Sequence, residues 1–247
     1  ETGVKTMFAD GRARMNVTAF YMDWEDFQLE IVDPSLRICP SGNTSDKIAG
    51  ECGQPWQAIV ANAGDAHILG VSVEFDMAMT DNLLVGLNAQ WLEAETDSTL
   101  DLDGDGTIDV VKGNTLPITP EWKSSAWATY SQSVSWFGAS SAFARLQWSY
   151  QSESNNILQP TEYEPQHPQI VNESYNIGDF SVGLEADTWE LTLFVSNLTD
   201  ERAQYTHLSG TRIAAWGSTT EGRVSVASRY TSRPREAGVR FIKYFGD

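Results

Sequence analysis

The sequence predicts an all-β protein, and within that class a set of antiparallel transmembrane β-barrel strands. Three observations carry the expectation. Apolar residues alternate with small and polar ones at period two, which a strand turns into two chemically different faces and a helix does not. Short and long connections alternate strictly along the chain, as in a membrane barrel with tight turns at one end and large loops at the other. No segment combines a 3.6-residue period with helix caps, and no apolar run approaches the eighteen or so residues that a membrane helix requires.

The clearest strand occupies residues 69–79, where Leu69, Val71, Val73, Phe75, Met77 and Met79 take the odd positions. Gly70, Ser72, Glu74, Asp76 and Ala78 lie between them. Residues 83–91 repeat the pattern after the hairpin turn Thr80-Asp81-Asn82. The odd face suits lipid, while the even face suits water and would be costly in a dry core. Strands of similar quality are expected at 3–8, 14–27, 122–134, 142–151, 175–186, 189–197 and 236–245, about nine in all. Tight turns fall at Ala9-Asp10-Gly11, Phe137-Gly138-Ala139 and Asp187-Thr188. Long polar connections are expected over 33–55, 96–120, 152–173 and 200–233.

Aromatic residues mark both strand ends. Phe8, Trp136, Phe137, Trp189, Tyr244 and Phe245 cluster beside the short turns, and Trp24, Trp91, Trp122, Trp148 and Tyr150 lie at the opposite ends. Two belts at the membrane interfaces give this distribution. Nine antiparallel strands leave the first and last running the same way. The chain is therefore expected to be part of a barrel, with further strands before Glu1.

Composition narrows the alternatives. The 247 residues carry 16 Lys+Arg against 34 Asp+Glu, a net charge of −18, which argues against a nucleic-acid partner. Nine Trp, ten Phe and eight Tyr exclude a disordered chain.

The C-terminal segment Arg233-Pro234-Arg235-Glu236-Ala237-Gly238-Val239-Arg240-Phe241, closing on Phe245, resembles the last strand of a TonB-dependent outer-membrane receptor. Asn197-Leu198-Thr199-Asp200 is similar to the end of that family's penultimate strand. Glu1-x-Gly3-Val4-Lys5, Asn62-Ala63-Gly64 leading to Gly70-Val71-x-Val73-Glu74, and Pro117-x-Thr119-Pro120-Glu121-Trp122-Lys123 also look like family strands. The resemblance implies a barrel of about 22 strands, of which residues 1–247 supply the C-terminal part. It also implies a plug domain and a TonB-contacting segment, neither of them in this chain. By the same resemblance the parent protein sits in the outer membrane of a Gram-negative bacterium. There it imports a scarce nutrient, such as a siderophore, cobalamin or an oligosaccharide, with energy relayed through TonB. The residue after the usual terminal aromatic departs from the family, since Gly246 and Asp247 follow Phe245, and Lys243 falls on the outward face. A passive outer-membrane porin and a secreted soluble β-sandwich carbohydrate-binding module are the competing readings.

No catalytic set stands out, and the chain does not read as an enzyme. His67, His167 and His207 are isolated in sequence, and Glu93 and Glu95 share one strand face that is expected to be the wet one. The sharpest local motif is Asp101-x-Asp103-Gly104-Asp105-Gly106-Thr107-x-Asp109, whose oxygens at alternate positions reproduce a Ca²⁺-wrapping loop. The usual bidentate Glu is replaced by Lys112, so a weak, structural Ca²⁺ site is expected, with a Kd on the order of 10⁻⁴–10⁻³ M. Calorimetry with Ca²⁺ is expected to show binding that Asp103→Ala with Asp105→Ala removes. Identical titrations of the two proteins would leave the loop merely acidic. Cys39 and Cys52 lie in a turn-rich stretch and are expected to form a disulfide. Trp56, Tyr205, Arg212 and Trp216 are the candidate ligand contacts in the long connections.

Overall fold

The computed structural model describes residues 1–32, 58–62, 64–100, 108, 110–156, 158, 171–213 and 223–245. Every regular element in it is a strand. In chain order these are β1 (Thr2–Phe8), β2 (Ala13–Trp24), β3 (Gln28–Val32), β4 (Ala58–Asn62), β5 (Ala66–Ala78), β6 (Leu83–Thr96), β7 (Trp122–Ser133), β8 (Ser141–Gln151), β9 (Ser154–Asn155), β10 (Val171–Asn172), β11 (Tyr175–Ala186), β12 (Trp189–Ser196), β13 (Gln204–Ile213), β14 (Arg223–Thr231) and β15 (Glu236–Lys243). One nine-stranded sheet runs β1-β2-β5-β6-β7-β8-β11-β12-β15, all neighbours antiparallel, with β1 and β15 at its edges. Its nine strands are the nine that period-two alternation identifies. The other six pair as the ribbons β3–β4, β9–β10 and β13–β14.

The register fixes which side chains share a face, because directly opposed residues point the same way. Across the sheet one row runs Val4, Val17, Val73 and Ala89, and a second runs Leu87, Ala126, Trp148. Toward the other edge, Phe180 opposes Leu146 and Val195, and Val182 opposes Ala144 and Leu193. Leu193 in turn opposes Val239. This face is apolar from edge to edge and exposed: Val4, Leu193 and Val239 are 65%, 51% and 67% accessible. A water-soluble sheet does not present so wide an apolar surface uncovered. The opposite face carries Lys5, Arg14, Asn16, Glu74, Asp76, Asn88, Gln90, Lys123, Arg145 and Gln147.

The tight turns owe their geometry to residues in the left-handed region. Ala9, Asp10 and Gly11 lie at φ 53°, 56° and 80°, and Phe137 and Gly138 at 54° and 81°. Beside these turns Phe137 and Phe245 are each 91% exposed, Trp189 stacks on Phe241 at 6.3 Å, and Lys243 opposes Trp189 on the apolar face. At the far ends Trp91 and Trp122 oppose each other on that face. The Trp91 indole N–H donates to Glu121 Oε1 at 2.8 Å and that of Trp148 to Asn176 Oδ1 at 3.2 Å. Such an apolar ring with a satisfied polar edge is what an interfacial belt requires. Trp24 departs from this: it opposes Ala66 and so stands on the polar face, with Tyr21 rather than Trp24 on the apolar one.

Glycines on the polar face sit opposite aromatic rings. Gly86 faces Trp127, Gly183 faces Phe143 and Gly238 faces Phe194, and in each case the ring occupies the space where a Cβ would project. The same relation holds between Gly70 and Phe20. The ring covers the glycine backbone and lies flat along the wall instead of standing into the lumen. Gly86→Ala is expected to cost about 1–3 kcal/mol by displacing the Trp127 ring. Unfolding in detergent checks this, and Trp127→Ala is expected to recover most of the loss in the Gly86→Ala background.

Several bounds differ from the sequence expectation. The second strand stops at Trp24, short of residue 27, where Asp26 turns the chain at φ 53° and Phe27 N–H bonds the Gly64 carbonyl. β5 and β6 run 13 and 14 residues, beyond the 69–79 and 83–91 cores and beyond the 9–11 needed to span a bilayer. Their extra residues leave the lipid, so alternation no longer marks them. A small core does form there: Ala66, Ala94, Val110, Leu116 and Leu158 are buried together, with Phe27, Ile68 and Leu100 packed against them.

Candidate functional site

The polar face is the first part of the site. Two polar pairs join its strands. Arg14 forms an ion pair with the opposed Asp76, and Asn16 Nδ2 donates to the opposed Glu74 Oε2 at 2.9 Å. Arg145 lies over the Phe143 ring at 4.2 Å and Arg240 over Phe194 at 5.6 Å. Such a surface presents polar and charged groups along the wall.

The second part is the end from which the long connections leave, where Asn197 acts as a clamp. Following β12, it is 4% exposed and lies at φ 54°. Its Nδ2 donates to the carbonyls of Glu201 and Arg233, each at 2.8 Å. Its Oδ1 accepts from the Glu201 N–H at 3.0 Å and from Thr199 Oγ1 at 3.3 Å. Asp200 accepts the Arg235 N–H at 2.8 Å, and this bond, backed by the charges of Arg202 and Arg235, holds its carboxyl below the usual range. Ser232 Oγ donates to the Glu201 carbonyl at 2.7 Å. The Asn-Leu-Thr-Asp segment thereby ties the start of the connection that carries β13 and β14 to its end, thirty-odd residues on.

Of the candidate ligand contacts, Tyr205 stands near the start of β13 and packs edge-to-face on Tyr175 at 5.6 Å, 42% exposed. Arg212 belongs to β13. Trp56, Trp216, His167, Cys39, Cys52, Asp101, Asp103, Asp105, Thr107 and Asp109 lie outside the described residues.

Two readings change. Glu93 and Glu95 do not stand on the polar face of the sheet. β6 keeps its register without a bulge, so they continue the apolar face beyond Leu87, Ala89 and Trp91. His67 is not isolated: it opposes Glu95 and lies with both glutamates, one ligand atom from each residue within 4.8 Å of the others. Sequence distance hid this, since the hairpin brings residues about thirty apart onto one row.

An open antiparallel sheet with one lipid-compatible face, one charged face, and all its long connections at one end defines the wall of a membrane barrel. The family model "TonB dependent receptor-like, beta-barrel" matches residues 1–198, and the chain belongs to that family. Among solved structures it is similar to the siderophore receptor PiuA from Acinetobacter baumannii, with TM-score 0.62 and 14% identity over 98% of this chain and 27% of that one. It is likewise similar to the ferric yersiniabactin uptake receptor FyuA from Yersinia pestis, with TM-score 0.62 and 16% identity over 98% and 29%. The copper transporter OprC gives 0.60 and 13% over 98% and 30%. Among curated proteins none matches in sequence. The chain thus spans little more than a quarter of the length of the receptors it resembles.

Proposed function

We propose that these strands form the C-terminal part of the barrel of an outer-membrane receptor that imports a scarce nutrient with energy relayed through TonB. A ferric siderophore is the first candidate, and cobalamin or an oligosaccharide the alternatives. The observation that carries the reading is the two-faced nine-stranded sheet together with the family match. The receptors named above are described as siderophore, ferric yersiniabactin and copper proteins, which favours a metal-bearing cargo.

In this reading the tight turns face the periplasm and the long connections face outward. Preceding strands close the barrel, and a plug rests against the Arg14, Glu74 and Arg145 side of the wall. Tyr205, Arg212, Trp56 and Trp216 contribute to ligand capture. Cys39–Cys52 closes one external loop, and Asp101, Asp103, Asp105, Thr107 and Asp109 hold Ca²⁺ in another. The wall itself performs no covalent chemistry.

The test is uptake of labelled ferric siderophores, cobalamin and oligosaccharides by cells carrying the complete polypeptide as their sole receptor of this class. The expected result is accumulation of one of them that stops when TonB is deleted. Uptake that persists without TonB, with an open-pore conductance in planar bilayers, would make the protein a passive porin.

A further inference from the structure

We infer that His67, Glu93 and Glu95 form a binding site for one first-row divalent cation of Zn²⁺ type, at the long-connection end of β5 and β6. The site stands on the apolar side of the sheet, just past its aromatic row, and shares no residue with the polar wall.

The strand register assembles it. His67 opposes Glu95 directly, and Glu93 stands two residues before Glu95 on the same face. A ring nitrogen of His67 and a carboxylate oxygen from each glutamate lie within 4.8 Å of one another. The His67 Nδ1 lies 2.9 Å from Asp97 Oδ2, and because the carboxylate accepts, a ring proton sits on Nδ1, so the neutral ring in this pair offers Nε2 to a metal. A carboxylate behind a ligating imidazole is the outer-sphere partner that fixes tautomer and ring plane at zinc sites. The Tyr21 ring stacks on the imidazole at 5.9 Å and restricts its rotation further.

The glutamates point to a cation for a separate reason. Neither side chain has a hydrogen bond or ion pair with another described residue, and Lys112 is engaged elsewhere. Its Nζ lies 3.5 Å from Asp97 Oδ1, so its charge serves the residue behind the histidine. Asp23 opposes His67 from β2 and adds negative charge to the same row. One imidazole and two carboxylates, without thiolate, suit Zn²⁺ and its neighbours better than Ca²⁺, which takes oxygen ligands only. Tetrahedral Zn²⁺ holds its ligand atoms about 3.3 Å apart. Rotation of the two glutamate side chains supplies the remaining closure, and water takes the fourth position. A bound ion would staple β5 to β6 and, through Asp97, to the segment that leaves β6.

The experiment is calorimetric titration of the complete, detergent-solubilised polypeptide with ZnCl₂, its folded state verified by circular dichroism. One Zn²⁺ per chain is expected to be lost in the His67→Ala/Glu93→Gln/Glu95→Gln variant. Asp97→Asn, which keeps all three ligands, is expected to weaken binding about 10–100-fold. X-ray absorption at the zinc edge is expected to show one imidazole nitrogen with oxygens at about 2.0–2.2 Å. Absence of binding in the unmodified protein, or an unchanged isotherm in the triple variant, would overturn the inference. Either failure leaves nutrient uptake untouched, since uptake is read separately with labelled cargo.

Discussion

Replacing Asn197 by alanine is expected to destabilise the protein by about 3–5 kcal/mol, the largest effect of any single polar side chain described above. Four hydrogen bonds end on that side chain, and removing it takes the side-chain donor from the Arg233 carbonyl and the acceptor from the Glu201 N–H, and leaves the Glu201 carbonyl with Ser232 Oγ alone. Alanine also tolerates the residue's positive φ less well than asparagine. Two further variants separate the causes. Asn197→Gly relieves the backbone and still loses the bonds, so it is expected to remain close to alanine. Asn197→Asp keeps an acceptor for the Glu201 N–H but sets a carboxylate against two carbonyl oxygens, and is expected to be no better. Urea unfolding of the complete polypeptide reads the order. A fully stable Asn197→Gly protein would show that the side chain is dispensable and that backbone conformation alone is at stake.

The second large effect belongs to the apolar face. Val73 lies near the middle of β5, between Val17 and Ala89. Val73→Arg is expected to cost roughly 2–4 kcal/mol in a bilayer, because the guanidinium cannot reach water from mid-strand. Glu74→Gln, one residue on and on the other face, is expected to cost under about 1 kcal/mol, since the amide still accepts from Asn16. Reversible unfolding in lipid vesicles measures both. Equal costs would mean that the two faces meet the same medium.

The nine wall strands were legible because each has a lipid side and a water side, and the contrast between them is the period-two signal. Where that contrast ends, legibility ends. β13, with Gln204, Thr206, Ser209, Gly210, Thr211 and Arg212 among its ten residues, has no apolar face and reads as loop, yet it pairs with β14 over its length. β3 and β4 are five residues each, too short for alternation to separate them from their surroundings. Trp24 reads as part of the belt because position along a strand is readable from sequence, whereas its side of the sheet follows from a register that holds from Ala13 to Trp24. The metal triad was hidden for a different reason. His67 is remote from Glu93 and Glu95 in sequence, and only the exact pairing of two long strands makes them neighbours. The Asn-Leu-Thr-Asp segment was recognisable as a pattern, but its role as a clamp depends on carbonyls from Glu201 and Arg233 that no local motif names.

The most direct measurement of the barrel wall is site-directed spin labelling of Val73 and Glu74 in lipid bilayers. Collision with molecular oxygen reports lipid, and collision with a water-soluble nickel chelate reports water. The label at position 73 is expected to see oxygen and exclude the chelate, and the label at 74 the reverse, with the alternation continuing through positions 71–76. The same environment at both positions would contradict a membrane-spanning wall.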